Sequence, residues 1–335
     1  MTTLLAPTTD VVAALPAPAV QPRRQALIDH FLESQDPKTR QEYGRALRSF
    51  VAFATVAYEL ADVAENRLLD DWFLCLDAGA ANEAALRWRT HLYREQKFAP
   101  KTVNLRLSAL RSLVKVAKLC GRVAWTLDVK NVKAQPFKDT RGTGHDGYRL
   151  LLAENRKLNG DSPRGLRNEA LLRLLFDLAL RKDSALSLRR RDVDLEAQPP
   201  TVKPLFKRRG RHESCREPRT LPRPTAAALA AWLAVHPLPH DEAPLFVSLD
   251  RASKGHRLSA KGAWQIVKEL GESAGVKAWP HALRHAAATH ALDQTGGDVR
   301  RVQKFMGHAS PATTMIYDDA RRDVAGEIAS LIAGL

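Results

Sequence analysis

Residues 280–318, PHALRHAAATHALDQTGGDVRRVQKFMGHASPATTMIYD, set three polar clusters in an apolar, helical frame. The clusters are His281-Ala-Leu-Arg284-His285, Gly307-His308 and a lone Tyr317. Leu and Ala recur between them at helical spacing. Pro280 suits the first position of a helix. His281 and Arg284, three apart, then share one face of it. Val299, Val302, Phe305 and Met306 give a second helix with an apolar stripe, and Gly307 is its C-terminal stop. Ser310-Pro311 is an N-cap and first-turn pair for a third helix, with Tyr317 about two turns along it.

The helical period accounts for the Leu and Ala positions. It does not account for two basic groups one turn apart, a Gly-His corner and a tyrosine soon after. Arg284 offers a planar fork of donors that matches phosphate oxygens. A tyrosine hydroxyl is a possible nucleophile. The stretch therefore reads as a holder for a phosphate beside a nucleophile. Taken one at a time, His281 and Tyr317 fit an ordinary core helix equally well.

In this order and at about this spacing, HALRH, MGHAS and TTMIY resemble the C-terminal signature of the tyrosine recombinases. That family comprises phage integrases, chromosome-dimer resolvases and integron integrases, and its pattern is H-x-x-R, then G-H or G-W, then Y. The resemblance implies that Tyr317 is the nucleophile, with Arg284, His281 and His308 around the scissile phosphate. It extends upstream over roughly residues 25–335. RNEALLRLLFDLALRKDSALSL reads as a helix that ends at Arg181, and A-L-R-K-D-S-A-L is similar to the text around the first catalytic arginine of the family. Arg181 takes that role by resemblance; the plain alternative is an arginine favoured at a helix C-terminus by the dipole. Two departures stand out: Ala179 replaces the usual Gly, and Ser184 stands where an acidic residue is expected, with Asp183 one position early. Residues 201–223 read as a β-hairpin around Arg208–Gly210, where the family places a catalytic lysine. Lys207 is the first choice and Lys203 the second, on a turn that is longer and richer in arginine than usual.

Charge agrees with a polyanionic partner. The 335 residues carry 52 Lys plus Arg against 37 Asp plus Glu, a formal net charge of +15. Nucleic acid or an acidic membrane surface would both suit it, but no apolar run is long enough to span a bilayer. Three scattered cysteines, Cys75, Cys120 and Cys215, suggest neither a disulfide framework nor a metal site and fit a reducing cytoplasm. There is no H-E-x-x-H, no P-loop and no G-x-G-x-x-G, so zinc, ATP and nicotinamide cofactors have no support. No cofactor and no metal is expected.

The first 22 residues, rich in Ala, Pro, Thr and Val, read as a disordered tail. From Arg23 to about residue 125 the pattern is helical. Helices are expected near Ala26–Phe31, from Pro37 to about Leu60, from Glu83 to Lys97, and from Pro100 to Gly121. Lys38, Arg40 and Arg45 lie on the second of these, and Lys101, Arg106, Arg111 and Lys115 on the fourth. P-K-T followed by N-x-R-L-S-A-L-R resembles the core-binding domain of the same family. The resemblance implies that these seven basic residues contact DNA phosphates, a salt-sensitive and sequence-independent term. Residues 126–147 read as a basic, glycine-containing linker, and residues 148–335 as the catalytic domain with a C-terminal amphipathic helix carrying Val324, Ile328, Leu331 and Ile332.

The fold expected is mainly α, with a small β-sheet in the C-terminal domain. By resemblance it is a two-domain DNA clamp: a helical core-binding domain plus an α+β tyrosine recombinase catalytic domain. The function expected is site-specific DNA recombination through a 3′-phosphotyrosyl intermediate, by a cytoplasmic, nucleoid-associated enzyme without a membrane partner. Its partners would be a double-stranded DNA recombination site and further copies of the chain, as a tetramer on two duplexes. Two alternatives share the residues: a non-catalytic sequence-specific DNA-binding protein, and an enzyme like the type IB topoisomerases.

Overall fold

The computed structural model describes residues 26–60, 67–133, 143–206, 215–308, 310–319 and 324–334. The chain divides into two compact units, residues 1–136 and 137–335.

The first unit is helical. Helix α1 spans Ala26–Glu33, α2 Pro37–Ala57, α3 Leu68–Asp71, α4 Ala78–Thr90 and α5 Pro100–Leu119. Asp36 caps α2 by accepting from the amides of Lys38 and Thr39, ahead of Pro37 in the first turn. Helix α4 begins five residues before the expected Glu83, because the Asp77 carboxylate accepts from Ala80 N and starts the helix on Ala-Gly-Ala. It passes into one π turn, His91–Glu95. Phe50 lies at the centre of the core, with ring centroids 4.9 Å from Phe73 and 5.1 Å from Trp88, both edge to face. The apolar stripe of α5, Val103, Leu107, Leu110, Leu113, Val114 and Ala117, is buried against it as its spacing predicts.

The segment after α5 differs from the expected linker. Val123, Leu127 and Val129 are buried in the core of this unit. Trp125 donates its indole N–H to Leu76 O at 2.9 Å, and Asn104 exchanges two hydrogen bonds with the backbone of Val132, at 2.9 and 2.8 Å. The alternation of apolar and polar residues from 123 to 130 is the period of an extended strand that rests one face on a core. Residues 134–142 of the linker lie outside the described residues.

The second unit starts with α6, Gly144–Asn159, where sequence reading places the end of the linker, and continues with α7, Pro163–Phe176. Helix α7 stops five residues before Arg181 instead of running to it. Leu180 N returns to Leu174 O, and Ala179 adopts a left-handed φ of 48°. Helix α8, Lys182–Leu186, follows at once. Strands β1 (Val193–Asp194), β2 (Thr201–Val202) and β5 (Arg219–Thr220) form an antiparallel sheet in the order β1-β2-β5. Strands β3 (Leu205–Phe206) and β4 (Cys215–Arg216) pair separately. Lys207 and the turn expected around Arg208–Gly210 lie outside the described residues.

Helix α9 (Arg223–Ala234) packs on α7. Then come α10 (Ala260–Ser273), α11 (Pro280–Gln294), α12 (Val299–Met306), α13 (Pro311–Asp319) and α14 (Val324–Ile332). The core gathers Leu174, Leu175, Trp232, Phe246, Leu283 and Leu292. Mainly helical with a small sheet in the second unit, this is the fold class expected. Among the described residues no helix is long and apolar enough to cross a membrane.

Candidate active site

Helix α11 explains why Arg284 and His281 sit together. Pro280 begins it, and the alanines on its inner side, Ala282, Ala286, Ala287 and Ala288, let it pack deep in the core. Arg284 is carried in with them and is almost fully buried. Its guanidinium donates to the carbonyl oxygen of Ala179 and, at 2.6 Å, to that of Met306. Two donors are thus spent on backbone, fixing the plane of the fork. Burial, then the charge of Arg181, push its pKa down to about 9, so it stays a cation at neutral pH.

Arg181 is placed differently. It is the N-cap residue of α8 and its side chain is exposed. Arg181, His281 and Arg284 line one cavity of about 250 Å³, together with Lys182, Asp183, Trp264 and Trp279. The charge of Arg181 acts on Arg284, His281, His308 and Tyr317 alike.

Tyr317 lies on the buried face of α13 and is 5% exposed. Its ring stacks on His308, with centroids 6.0 Å apart and planes 9° apart, and meets His285 at 4.8 Å. His285 in turn meets His281 edge to face at 4.2 Å. Burial raises the pKa of Tyr317, while Arg284 and Arg181 oppose that rise. His308 follows Gly307, which closes α12 in the left-handed region with φ 59°. A Cβ on Gly307 would stand 3.1 Å from the Phe206 ring, so both the turn and the contact demand glycine here. His308 is buried, its Nδ1 is 2.9 Å from Thr314 Oγ1, and its carbonyl accepts from Gln303. Burial, followed by the neighbouring Arg284 and Arg181 charges, pushes its pKa down to about 4. His281 reaches the surface, but desolvation of its inner side and the same two arginines lower its pKa as well.

Five of the six expected catalytic residues therefore occupy one neighbourhood, and the sixth, Lys207, is outside the described residues. Ser184, which stands where the family has an acid, is buried and donates to Leu205 O at 2.8 Å. It ties α8 to the strand that leads into residue 207. Asp183 is exposed. Sequence reasoning missed Thr314, Trp264 and Trp279. Thr314 stands three residues before Tyr317, one turn away on the same helix, which was a signal for a shared face.

The basic residues of the first unit divide into two kinds. Lys38, Arg45, Lys101 and Lys115 are exposed, Arg45 beside Glu42 at 3.2 Å. Arg40, Arg106 and Arg111 bond to other parts of the unit. Arg40 closes the end of α1 through the carbonyls of Leu32 and Glu33. Arg106 bonds Ser49 Oγ at 2.9 Å and lies 4.2 Å over the Phe98 ring. Arg111 holds Val129 O and Asn131 Oδ1.

Residues 143–323 match the phage integrase family, more than half of the chain. Tyrosine recombinase slr0733 of Synechocystis is 36% identical over 318 residues, covering 93% of this chain and 96% of the relative. The chain belongs to the phage integrase family. A second tyrosine recombinase, from Synechococcus elongatus, is also 36% identical, over 98% of this chain and 99% of its own length. Like these relatives, the protein is a tyrosine site-specific recombinase. Among solved structures, the XerH site-specific recombinase in its post-cleavage complex with palindromic difH substrate aligns with a TM-score of 0.65 at 21% identity. That alignment covers 88% of this chain and 80% of XerH, and shows a shared fold.

Proposed function

We propose that this recombinase acts on duplex DNA through Tyr317, with the scissile phosphate seated between Arg181 and Arg284. One observation carries the reading. Tyr317 is held by His308 and His285 within the field of both arginines, and Arg284 is locked by two carbonyls before any substrate arrives. A guanidinium already fixed in place, with a second beside it, stabilises charge as it develops on the phosphate with little reorganisation at the moment of reaction.

The ordinary tyrosine pKa is near 10, and burial raises it here. The hydroxyl therefore needs a base. His281, with its lowered pKa, is neutral at pH 7 and can accept a proton. His308 is neutral too; in the tautomer with its proton on Nε2, Nδ1 accepts from the Thr314 hydroxyl and the Nε2–H donates to a phosphate oxygen. Attack by the Tyr317 oxygen forms the phosphotyrosyl bond to the DNA 3′ end and breaks the bond to the 5′ oxygen. Lys207 protonates that leaving oxygen. Attack by the 5′-hydroxyl of a partner duplex reverses the step. The phosphodiester energy is kept in the protein link, so the exchange draws on no nucleotide triphosphate.

The first unit serves as the core-binding domain, with exposed Lys38, Arg45, Lys101 and Lys115 on phosphates. Arg40, Arg106 and Arg111 support the fold of that surface, and their phosphate contacts are secondary. The active assembly is a tetramer on two duplexes, in keeping with a reaction that exchanges strands between two sites. The relatives are named recombinases, and XerH was captured on its substrate.

A covalent trapping assay tests the reading. The purified protein is incubated with fragmented genomic DNA from its source and quenched in SDS. An SDS-resistant adduct mapping to Tyr317 is the expected result. Duplex binding without an adduct, on a site recovered by enrichment, would favour a binder that kept the fold and lost the reaction.

A further inference from the structure

Two tryptophans stand in the cavity of Arg181, His281 and Arg284, and nothing in the chemistry above uses them. Trp264 lies on α10, whose inner face buries Ala263, Val267 and Leu270 in the core. Trp264 points away from that core and is 40% exposed. Trp279, the N-cap residue of α11, shares the same cavity of about 250 Å³. Both tryptophans also line a second hollow, of about 650 Å³. Lys268 lines only that second hollow; its Nζ lies 5.3 Å from the Trp264 ring and 3.2 Å from Glu272. The ammonium thus lies within cation–π range of the indole.

An exposed indole beside guanidiniums needs a physical reason. The face of an aromatic ring is electron-rich and repels an anion. It cannot attract the phosphate; it directs the phosphate toward the arginines. The apolar part of the DNA backbone nearest a phosphate is the C–H face of its sugar. Bases in an intact duplex are paired and stacked and would have to be extruded to reach the ring. We propose that Trp264, which shares its cavity with Trp279, seats the deoxyribose adjoining the phosphate held by Arg181 and Arg284. This rests on the reading that those arginines hold the scissile phosphate. The indole sets where the phosphorus stands relative to Tyr317, so its removal slows cleavage more than it weakens binding.

The test is a coupling experiment on nicked suicide duplexes. Wild type, Trp264→Ala, Trp264→Gln and Trp264→Phe are compared on natural DNA and on two modified duplexes. In each of these a propanediol spacer replaces the nucleoside on one side of the scissile phosphate. On natural DNA, Trp264→Ala and Trp264→Gln should form the Tyr317 adduct roughly tenfold or more slowly, with duplex Kd little changed, and Trp264→Phe should restore most of the rate. On one of the spacer duplexes the wild-type enzyme should fall to the rate of the variants. Slowing by the same factor on all three duplexes would overturn the proposal, as would an unchanged rate on natural DNA. A change confined to oligomeric state would overturn it too, and would assign the indole to a contact between copies. Failure of the underlying reading looks different: the wild-type protein itself would form no adduct. Melting curves of both substitutions, one apolar and small, one polar and long, separate a folding defect from a seating defect.

Discussion

The guanidinium of Arg284 donates to the main-chain carbonyl of Ala179, two residues before Arg181. One of the two arginines proposed to hold the phosphate thus holds the backbone turn from which the other projects. The two arginines differ in what else they do, because one is buried and bonded and the other is exposed.

Substituting each should separate catalysis from folding. Arg284→Ala leaves the carbonyls of Ala179 and Met306 without their donor and should cost roughly 3 kcal/mol or more of stability. Arg181→Ala, at the surface, should stay within about 0.5 kcal/mol. Both should slow adduct formation by about 100-fold or more. Urea melts beside single-turnover cleavage would show it, and equal destabilisation by the two would contradict the geometry.

Ala179 occupies a left-handed φ of 48° where a side chain is disfavoured. Ala179→Gly should raise stability by about 1 kcal/mol, net of the extra freedom glycine gains when unfolded. Cleavage should be unaffected, since the carbonyl that holds Arg284 remains. A fall in Tm would mean that the turn is held some other way.

His308 should make stability depend on pH. Its folded pKa of about 4 lies below the unfolded value near 6.5. The unfolded chain then takes up a proton more readily than the folded one. The contribution is complete above about pH 6.5 and is lost as pH falls toward 4. The drop in Tm between pH 7 and pH 4.5 should therefore be smaller in His308→Gln than in wild type. Parallel curves for the two would remove His308 from the account.

Lys207 and Lys203 can be told apart by the leaving group. A 5′-bridging sulfur leaves as a thiolate, whose acid has a pKa near 8.5, and needs no proton donor. Lys207→Ala should cleave ordinary DNA slowly and the sulfur-bridged duplex at the wild-type rate. Lys203→Ala should show no such rescue; rescue of Lys203→Ala alone would move the acid to that residue.

Much of the site could be read before the fold was known. His281, Arg284, Gly307, His308 and Tyr317 lie on or beside short helices, so local spacing already places them. The role of Arg181 rests on resemblance alone, and the sequence draws its helix five residues too long because no glycine or proline marks the stop. The chain turns instead through Ala179, against the preference of that residue, and the distant guanidinium of Arg284 holds the turn. The linker expected from residue 126 overlaps the core of the first unit, because Leu127 and Val129 continue the alternation of Val123 and Trp125 while basic and polar neighbours mask the period. Nothing local marks Trp264 as part of a site; only the cavity it shares with Arg181, His281 and Arg284 does so.

The burial of Tyr317 between two imidazoles has a consequence for how safely such an enzyme can be kept in a cell. A protein with a large positive charge meets genomic duplex constantly, and every phosphate it passes resembles the right one. With the phenol shut in and its proton held more tightly than usual, a Tyr317 nucleophile would be slow to attack a phosphate met at random. On the proposed mechanism, protection against stray breaks would then lie in the resting state of Tyr317, since its proton must be drawn off before it can attack.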